Sequence, residues 1–266
     1  MRLLFVKPSF QDNLDSVQPG DRDVGRYTRL AQSVFLKHST KGILKMGAGT
    51  MRIGIVGAGN IGGNVSRRLA AAGHHVTVSF ARDETKLAAL AAEIGATAAE
   101  PSGAAAADVV VLSVPWPAID TALAAVGPLA GKIVVDTTNQ FGQGGAIELG
   151  HTAARHNSDR LPGARYTKCF NTLTAQFQAE AARRTGEARV VQWICGKDDE
   201  AKAILAQLVG DAGYVPVDLG GVDECAVMEA PRRPGAVYGE EYRPADADAV
   251  VEAVRAGRPI PPTPRY

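Results

Sequence analysis

The chain has 266 residues with a formal net charge of +1, and 45% of its residues are hydrophobic. This near-neutral composition gives no electrostatic reason to expect nucleic acid or a membrane surface as a partner. No apolar run approaches the roughly 20 residues that span a bilayer. The three cysteines lack C-x-x-C spacing, which indicates reduced thiols and predicts a cytoplasmic location.

The first 50 residues differ from the rest of the chain. They carry a net charge of +4, whereas residues 51–266 carry −3. No helical or strand period persists from Asp12 to Tyr27. We expect residues 1–50 to be a disordered or dispensable extension, such as translation from an upstream start would add. The alternative is an arm that covers a partner subunit.

A glycine-rich turn is the strongest local motif. Three glycines have G-x-G-x-x-G spacing between a short apolar strand and a predicted helix, as in dinucleotide-binding sites. The first glycine permits a tight turn, the second lets a pyrophosphate approach, and the third lets the helix pack on the strand. We therefore predict a Rossmann-type fold rather than a flavodoxin-like or P-loop-like unit. The residues expected at the pyrophosphate are Gly57, Ala58, Gly59, Asn60, Ile61 and Gly62.

From Met51 onward predicted strands and helices alternate, which indicates an α/β fold with a doubly wound, mostly parallel sheet. The apolar run 108–115 is typical of a central strand that is buried on both faces. The predicted strands are 52–56, 75–80, 96–99, 108–115, 132–138, 165–171, 189–195 and 214–219. The predicted helices are 65–72, 83–92, 117–126, 174–184, 198–212 and 245–256.

The composition divides the chain into four parts. Residues 1–50 are the extension, and residues 51–150 are the nucleotide-binding Rossmann domain. Residues 151–230 are a small C-terminal α/β part that completes the substrate cleft. Residues 231–266, rich in Pro, Arg and Ala, are expected to be a poorly packed tail. The glycine-rich linker 140–150 is expected to be a mobile loop near the site.

The end of the second strand indicates which dinucleotide binds. NAD sites usually place an Asp or Glu about 20 residues past the glycines, where it bonds the ribose 2′-hydroxyl. The chain has no acid at residues 79–82. A guanidinium can bind a 2′-phosphate, so Arg82 favours NADP, with Lys86 as a second cation and Ser79 as a hydroxyl donor. Asp83 is an alternative ribose ligand, although its position is more typical of a helix cap.

The nicotinamide end is expected where the strand order reverses, beyond the carboxyl ends of the strands. The residues expected around the nicotinamide and its ribose are Val114, Pro115, Thr138 and Asn139. Asn171 should face the same cleft. Trp116 could stack on a second ring, although a tryptophan in the core or at a rim is as common. We take Trp116 and Asn171 as candidate substrate contacts.

No catalytic side chain and no metal site is predicted. The chain lacks G-x-S-x-G, H-E-x-x-H and Y-x-x-x-K motifs, and His151 and His156 are only weak candidates for proton transfer. Reduction of a carbonyl usually requires a protein acid or base. Hydride transfer between two redox cofactors mainly requires distance, orientation and exclusion of water. The sequence favours the second kind of reaction.

Five segments together resemble the coenzyme F420-dependent NADP reductase family. They are Met-Arg-Ile-Gly-Ile-Val-Gly-Ala-Gly-Asn-Ile-Gly-Gly at 51–63, Ser-Val-Pro-Trp at 113–116, Asp-Thr-Thr-Asn at 136–139, Lys-Cys-Phe-Asn-Thr at 168–172 and Val-Asp-Leu-Gly-Gly at 217–221. The resemblance covers about residues 51–230 and implies hydride transfer between NADP and the deazaflavin coenzyme F420. In that family a Ser-Arg pair followed by Lys binds the 2′-phosphate. The matching positions here are Ala81, Arg82 and Lys86, so the serine is absent.

The expected function is therefore that of an NADP-dependent oxidoreductase with a small-molecule substrate, and coenzyme F420 is the expected hydride partner. One alternative is an NADPH-dependent reductase of an imine, a ketone or a ferric chelate. Another is a regulatory protein that binds NADP(H) without turnover, because a fold does not fix a function. A homodimer is plausible for this class of protein.

Overall fold

The structure is a computed structural model that describes residues 49–80 and 83–263. The chain divides into a unit at Met1–Gly47 and a second unit at Ala48–Tyr266. Of the predicted extension, residues 1–50, all but the last two lie outside the described residues, and so do Ala81 and Arg82. The described residues all belong to the second unit.

An eight-stranded sheet forms the centre of this unit, with strand order β10-β9-β8-β5-β4-β1-β2-β3. Its strands are β1 (Arg52–Val56), β2 (His75–Ser79), β3 (Thr97–Ala98), β4 (Val109–Leu112), β5 (Ile133–Asp136), β8 (Arg165–Lys168), β9 (Val191–Gly196) and β10 (Val215–Gly220). Neighbouring strands pair in parallel, except that β8 pairs antiparallel with β9. A separate hairpin consists of β6 (Phe141–Gly142) and β7 (Gly145–Ala146).

The helices cover both faces of the sheet. They are α1 (Asn60–Ala71), α2 (Glu84–Ile94), α3 (Pro101–Ala105), α4 (Ile119–Val126), α5 (Ala153–Asp159), α6 (Ala175–Ala181), α7 (Asp199–Asp211) and α8 (Ala247–Arg255). Short 3₁₀ turns lie at Trp116–Ala118, Gly186–Ala188, Glu224–Met228 and Pro244–Asp246. The predicted α/β fold with a mostly parallel sheet is confirmed.

Strand β4 explains why the sheet is buried on both sides. Its four residues, Val-Val-Val-Leu, are all buried. Val109 and Val111 belong to one hydrophobic cluster, and Val110 and Leu112 belong to the other. Alternate residues of a strand point to opposite faces, so a continuously apolar strand requires helices on both faces. Of the part of the chain that the structure describes, no helix is both long and apolar enough to cross a bilayer.

The two predicted parts that meet near residue 150 share this one sheet. Strand β5, from the first part, pairs with β8, from the second, with Val135 opposite Thr167. The reversal of β9 was not predicted. The apolar pattern of a strand does not indicate its direction. Whether a strand pairs parallel or antiparallel therefore depends on contacts with residues that are distant in sequence.

The expectation of a poorly packed tail after residue 230 is wrong. Val237, Tyr242, Val250 and Ile260 are all buried. The backbone N–H of Val191 donates to the Tyr242 carbonyl at 2.9 Å. The Trp193 and Tyr242 rings meet nearly edge-on, with centroids 5.4 Å apart. The prediction relied on the high Pro, Arg and Ala content of this segment. It overlooked a small number of well-spaced apolar residues that pack on the sheet. The helix predicted at 245–256 is present within this segment.

Candidate cofactor and substrate site

The glycine turn has the geometry that its sequence predicts. Gly57 has φ of +101°, and a Cβ there would lie 2.3 Å from the Ser113 carbonyl oxygen. A Cβ at Gly62 would lie 2.0 Å from the Gly57 carbonyl oxygen, so the start of α1 can pack on the turn only if this residue is glycine. No atom lies within 4 Å of the corresponding position at Gly59. The turn is therefore closed on its sheet side and open where a pyrophosphate would approach.

The N-terminus of α1 is well suited to an anion. Its N-cap is Gly59, no side chain caps the first turn, and the first turn contains no acidic residue. The first N–H groups of an α-helix have no acceptor within the helix, and the helix dipole favours negative charge at that end. The N–H donors at Gly59, Asn60, Ile61 and Gly62 belong to four of the six residues that the sequence assigned to the pyrophosphate.

The strand order reverses between β1 and β4. Strand β2, which follows β1 in the chain, pairs with one edge of β1, and β4 pairs with the opposite edge. The loop after β4 is tied to β1 by the Ser113 N–H, which donates to the Val56 carbonyl at 2.8 Å. The Thr137 hydroxyl lies 3.0 Å from the Ser113 hydroxyl and joins the loops after β4 and β5. The predicted residue Val114 is buried, whereas Pro115 is exposed.

A buried ion pair fixes the loop that contains the predicted residue Thr138. Asp136 and Lys168 end two neighbouring strands, and both side chains are fully buried, with Nζ 3.3 Å from Oδ2. The Asp136 carboxylate accepts from the Thr138 N–H at 2.7 Å. The Lys168 ammonium donates to the Thr138 carbonyl at 2.7 Å. Both backbone polar groups of Thr138 are thus bound by the ion pair.

Further groups compensate these buried charges. The Asp136 carboxylate also accepts from Tyr166 Oη at 2.6 Å and from Asn157 Nδ2 at 2.8 Å. Although burial opposes ionisation, the Lys168 charge and these hydrogen bonds hold the pKa of Asp136 below its usual value. Burial lowers the pKa of Lys168, but the charges of Asp136 and Glu229 raise it by more. Both groups are therefore charged at neutral pH.

Glu229 is a third buried charge near this pair. Its carboxylate accepts from the N–H groups of Ala153 and Ala154, at 2.8 and 2.7 Å, and so binds the start of α5. Burial raises the pKa of Glu229, while the Lys168 charge and the two backbone hydrogen bonds oppose the rise. Sequence reasoning missed this cluster. Its only signal was that Asp136 and Lys168 each begin one of the family-like segments.

Asn139 and Asn171 meet at the same edge of the sheet. Asn171 Nδ2 donates to Asn139 Oδ1 at 3.0 Å and to the Met228 carbonyl at 2.6 Å. Asn139 Nδ2 donates to the Asn171 carbonyl at 2.8 Å. Asn139 is half-buried, whereas Asn171 is 4% exposed. The Asn171 Nδ2 group thus fixes Asn139, whereas the buried Asn171 Oδ1 has no hydrogen-bond partner among the described residues.

Trp116 lies near the site, but its ring is largely covered. The side chain is buried. The Arg160 guanidinium carbon lies 5.3 Å from the ring centroid, and the His156 ring lies 5.6 Å away. Burial, followed by the charges of Arg160 and His151, lowers the pKa of His156. A neutral His156 packed on Trp116 leaves little of the indole for a second ring.

The adenosine end is only partly described. Arg82, on which the prediction of NADP depends, lies outside the described residues. Asp83 caps α2, because its carboxylate accepts from the Lys86 N–H at 3.1 Å, as the cap prediction requires. The Lys86 side chain is exposed and its ammonium lies 3.7 Å from Asp83. The Ser79 hydroxyl is buried and donates to the Ile55 carbonyl at 3.1 Å, which directs it into the sheet.

The described residues include no obvious nucleophile. Cys169, Cys195 and Cys225 are buried free thiols. Burial raises the pKa of Cys169 and of Cys225 above the usual value for a thiol, which keeps both protonated. Within residues 49–80 and 83–263, no three His, Cys, Asp or Glu side chains are grouped so that they could hold a metal ion.

Comparison with known proteins agrees with this geometry. Residues 52–140 match the family described as NADP oxidoreductase, coenzyme F420-dependent. The solved structure of hypothetical protein SMa0349 from Sinorhizobium meliloti is 28% identical, with a TM-score of 0.66, and the match covers 76% of this chain and 99% of that one. A protein from Arthrobacter sp. FB24, provisionally described as an F420-dependent NADP reductase, is also 28% identical. Its TM-score is 0.56, with 65% of this chain and 86% of that chain covered.

A curated relative is also found. The metalloreductase STEAP3 of Rattus norvegicus is 25% identical over 179 residues, which is 67% of this chain. The chain spans only about a third of that relative's length, 36%. Together with the glycine turn and the eight-stranded sheet, these matches show that residues 52–140 are similar to the coenzyme F420-dependent NADP oxidoreductase family and that the fold is that of NADP-binding oxidoreductases.

Proposed function

We propose that this protein transfers hydride between NADPH and a deazaflavin coenzyme of the F420 type. The observation that carries the proposal is the glycine turn, whose open side at Gly59 adjoins the uncapped N-terminus of α1 at the point of strand reversal. The family match over residues 52–140 supports the same dinucleotide. The choice of a deazaflavin as the hydride acceptor is the more specific part of the proposal.

The dinucleotide would be held by residues that follow four strands, β1, β2, β4 and β5. The backbone N–H groups of residues 59–62 would bind the pyrophosphate. Arg82 and Lys86 would bind the 2′-phosphate, which a guanidinium and an ammonium suit by charge. The ribose and nicotinamide would lie against Pro115, Thr138 and Asn139. Because the Asp136–Lys168 pair binds both backbone groups of Thr138, this side of the pocket is preorganised before the cofactor arrives.

The acceptor would lie against the β6–β7 hairpin, which follows Asn139 directly. Among the described residues, Phe141 and Ile147 are the large hydrophobic side chains that are exposed, at 42% and 39%. The Gln140 side chain fixes the base of the hairpin through the Ala230 carbonyl, at 2.7 Å. A flat, partly apolar ring system could cover both exposed side chains and so remove them from water.

With both cofactors bound, the nicotinamide would supply a hydride and the deazaflavin ring would accept it, with a proton taken up from water. The chain then has three tasks: to hold the two rings at contact distance, to fix which faces meet, and to exclude water. The absence of an assigned acid or base among the described site residues is compatible with this reaction.

An absorbance assay tests the proposal. The full chain is mixed with NADPH and oxidised deazaflavin, and the visible band of the deazaflavin is followed. We expect the band to disappear at a rate that depends on enzyme concentration. A Gly62→Ala variant serves as the control for catalysis at this site, because its Cβ would clash with the turn. If the band persists while the protein binds NADPH, the deazaflavin proposal fails.

A metal chelate is the second candidate acceptor, and the match to a rat metalloreductase favours it. That match covers about a third of the relative, so it supports the nucleotide-binding part more strongly than the acceptor. The same assay with a ferric chelate and a ferrous indicator separates the two candidates. If NADPH is consumed with the ferric chelate and not with the deazaflavin, the metal chelate is favoured as the acceptor.

A further inference from the structure

A cavity of about 520 Å³ lies beside the C-terminal half of α1. Four arginines line it, Arg68, Arg183, Arg184 and Arg189, together with three glycines. Arg68 follows the N-cap Gly59 by nine residues, which is roughly 13 Å along the helix axis. The cavity is therefore separate from the glycine turn and from the strand ends that would hold the dinucleotide.

Three of the four guanidinium groups are not neutralised. Arg184 binds the carboxylates of Glu180 and Glu241, at 2.9 and 2.7 Å. Within the part of the chain that the structure describes, no carboxylate lies at ion-pair distance from Arg68, Arg183 or Arg189. Like charges that share a cavity repel one another, so this arrangement is unfavourable unless an anion is present.

Backbone carbonyl groups accept hydrogen bonds from only a few of the N–H donors of these arginines. Arg68 Nε donates to the Ala212 carbonyl at 2.9 Å, at the C-terminus of α7. The Arg189 guanidinium donates to the Tyr214 carbonyl. A guanidinium has five N–H donors, so each arginine keeps several. Burial lowers the pKa of Arg189, and no neighbouring carboxylate offsets that effect.

The glycines give the cavity its shape. Gly213 has φ of +101°, and a Cβ there would lie 2.9 Å from a terminal nitrogen of Arg68. Glycine at this position lets the Arg68 guanidinium lie over the backbone. No atom lies within 4 Å of the Cβ position of Gly186 or of Gly210. At these two glycines the lining is bare backbone, which a ligand can approach closely.

We propose that this arginine cavity binds a small polyanion with two or more phosphate groups, independently of the dinucleotide. Phosphate oxygens accept paired hydrogen bonds from a guanidinium, and three such groups around one cavity suit a di- or triphosphate better than a single carboxylate. The volume lies within the range of small-molecule pockets, about 300–1,000 Å³.

Calorimetric titration of the full chain with pyrophosphate, in the presence of saturating NADP, tests the proposal. We expect one saturable site whose affinity falls as salt is added. Loss of one charge-assisted contact corresponds to about tenfold weaker binding or more. Arg183→Gln and Arg189→Gln should each have that effect. Arg183 is exposed, so its variant should fold normally. Arg255→Gln, at an exposed arginine of α8, is the matched control and should bind as the wild type does.

Three results would overturn the proposal. Pyrophosphate that binds only without NADP would indicate occupancy of the dinucleotide site. Equal weakening by Arg255→Gln would indicate a general charge effect. Sedimentation of the protein with phosphatidylglycerol vesicles, without saturable binding of pyrophosphate, would assign the arginines to a membrane surface instead. None of these results depends on whether the protein reduces a deazaflavin.

Discussion

Replacement of Lys168 by methionine should strongly destabilise the protein. Methionine keeps most of the buried stem of the side chain but removes the ammonium. The Asp136 carboxylate, which is fully buried, then retains only its hydrogen bonds from Thr138, Asn157 and Tyr166. Removal of one partner of a buried ion pair costs about 3–5 kcal/mol, because an uncompensated charge remains inside the protein. The Thr138 carbonyl also loses a donor, which adds about 1 kcal/mol.

Urea denaturation measures this loss as a lower free energy of unfolding, and a thermal scan should show a melting temperature lower by roughly 10 °C. Lys197→Met, at an exposed lysine, is the control and should change stability by about 0.5 kcal/mol or less. The double variant Asp136→Asn with Lys168→Met removes both charges and should be more stable than Lys168→Met alone.

The effect should depend on pH. In the wild type the pKa of Asp136 lies below its usual value, so its contribution to stability is present above the unfolded-state pKa of about 3.9 and is lost only at lower pH. Without Lys168, burial should raise the folded-state pKa above the unfolded value. The penalty is then full above the raised pKa and disappears as the pH falls to about 4. A difference below 1 kcal/mol at pH 7, or one equal at pH 7 and pH 4, would refute the reasoning.

Three other variants test the site. Gly62→Ala should weaken NADPH binding at least tenfold in a fluorescence titration, because its Cβ would lie 2.0 Å from the Gly57 carbonyl oxygen. Gly210→Ala, at a helical position with open space around the Cβ, is the control and should leave the NADPH affinity unchanged. Arg82→Ala should weaken NADPH strongly and NADH little, and equal losses would contradict the phosphate assignment. Phe141→Ala should raise the KM for the deazaflavin several-fold without changing the NADPH dissociation constant, whereas a change in both would place Phe141 at the dinucleotide.

Much of the site follows from local rules that a sequence displays. The spacing of Gly57, Gly59 and Gly62 implied a closed turn and an open approach, and the structure has both. Asp83 could be recognised as a cap because capping involves residues only three positions apart. The apolar run of β4 likewise predicted a strand between two layers of helices. The adenosine phosphate site remains a prediction from Arg82 and Lys86.

What the sequence alone determined was the class of fold and the glycine turn where a dinucleotide is predicted to bind, since both depend on neighbours along the chain. The tertiary structure decided the contacts between residues that are far apart in sequence. It paired Asp136 with Lys168, covered Trp116 with Arg160, and reversed strand β9. Burial and charge compensation act between side chains that only folding brings together, so no local pattern could reveal them.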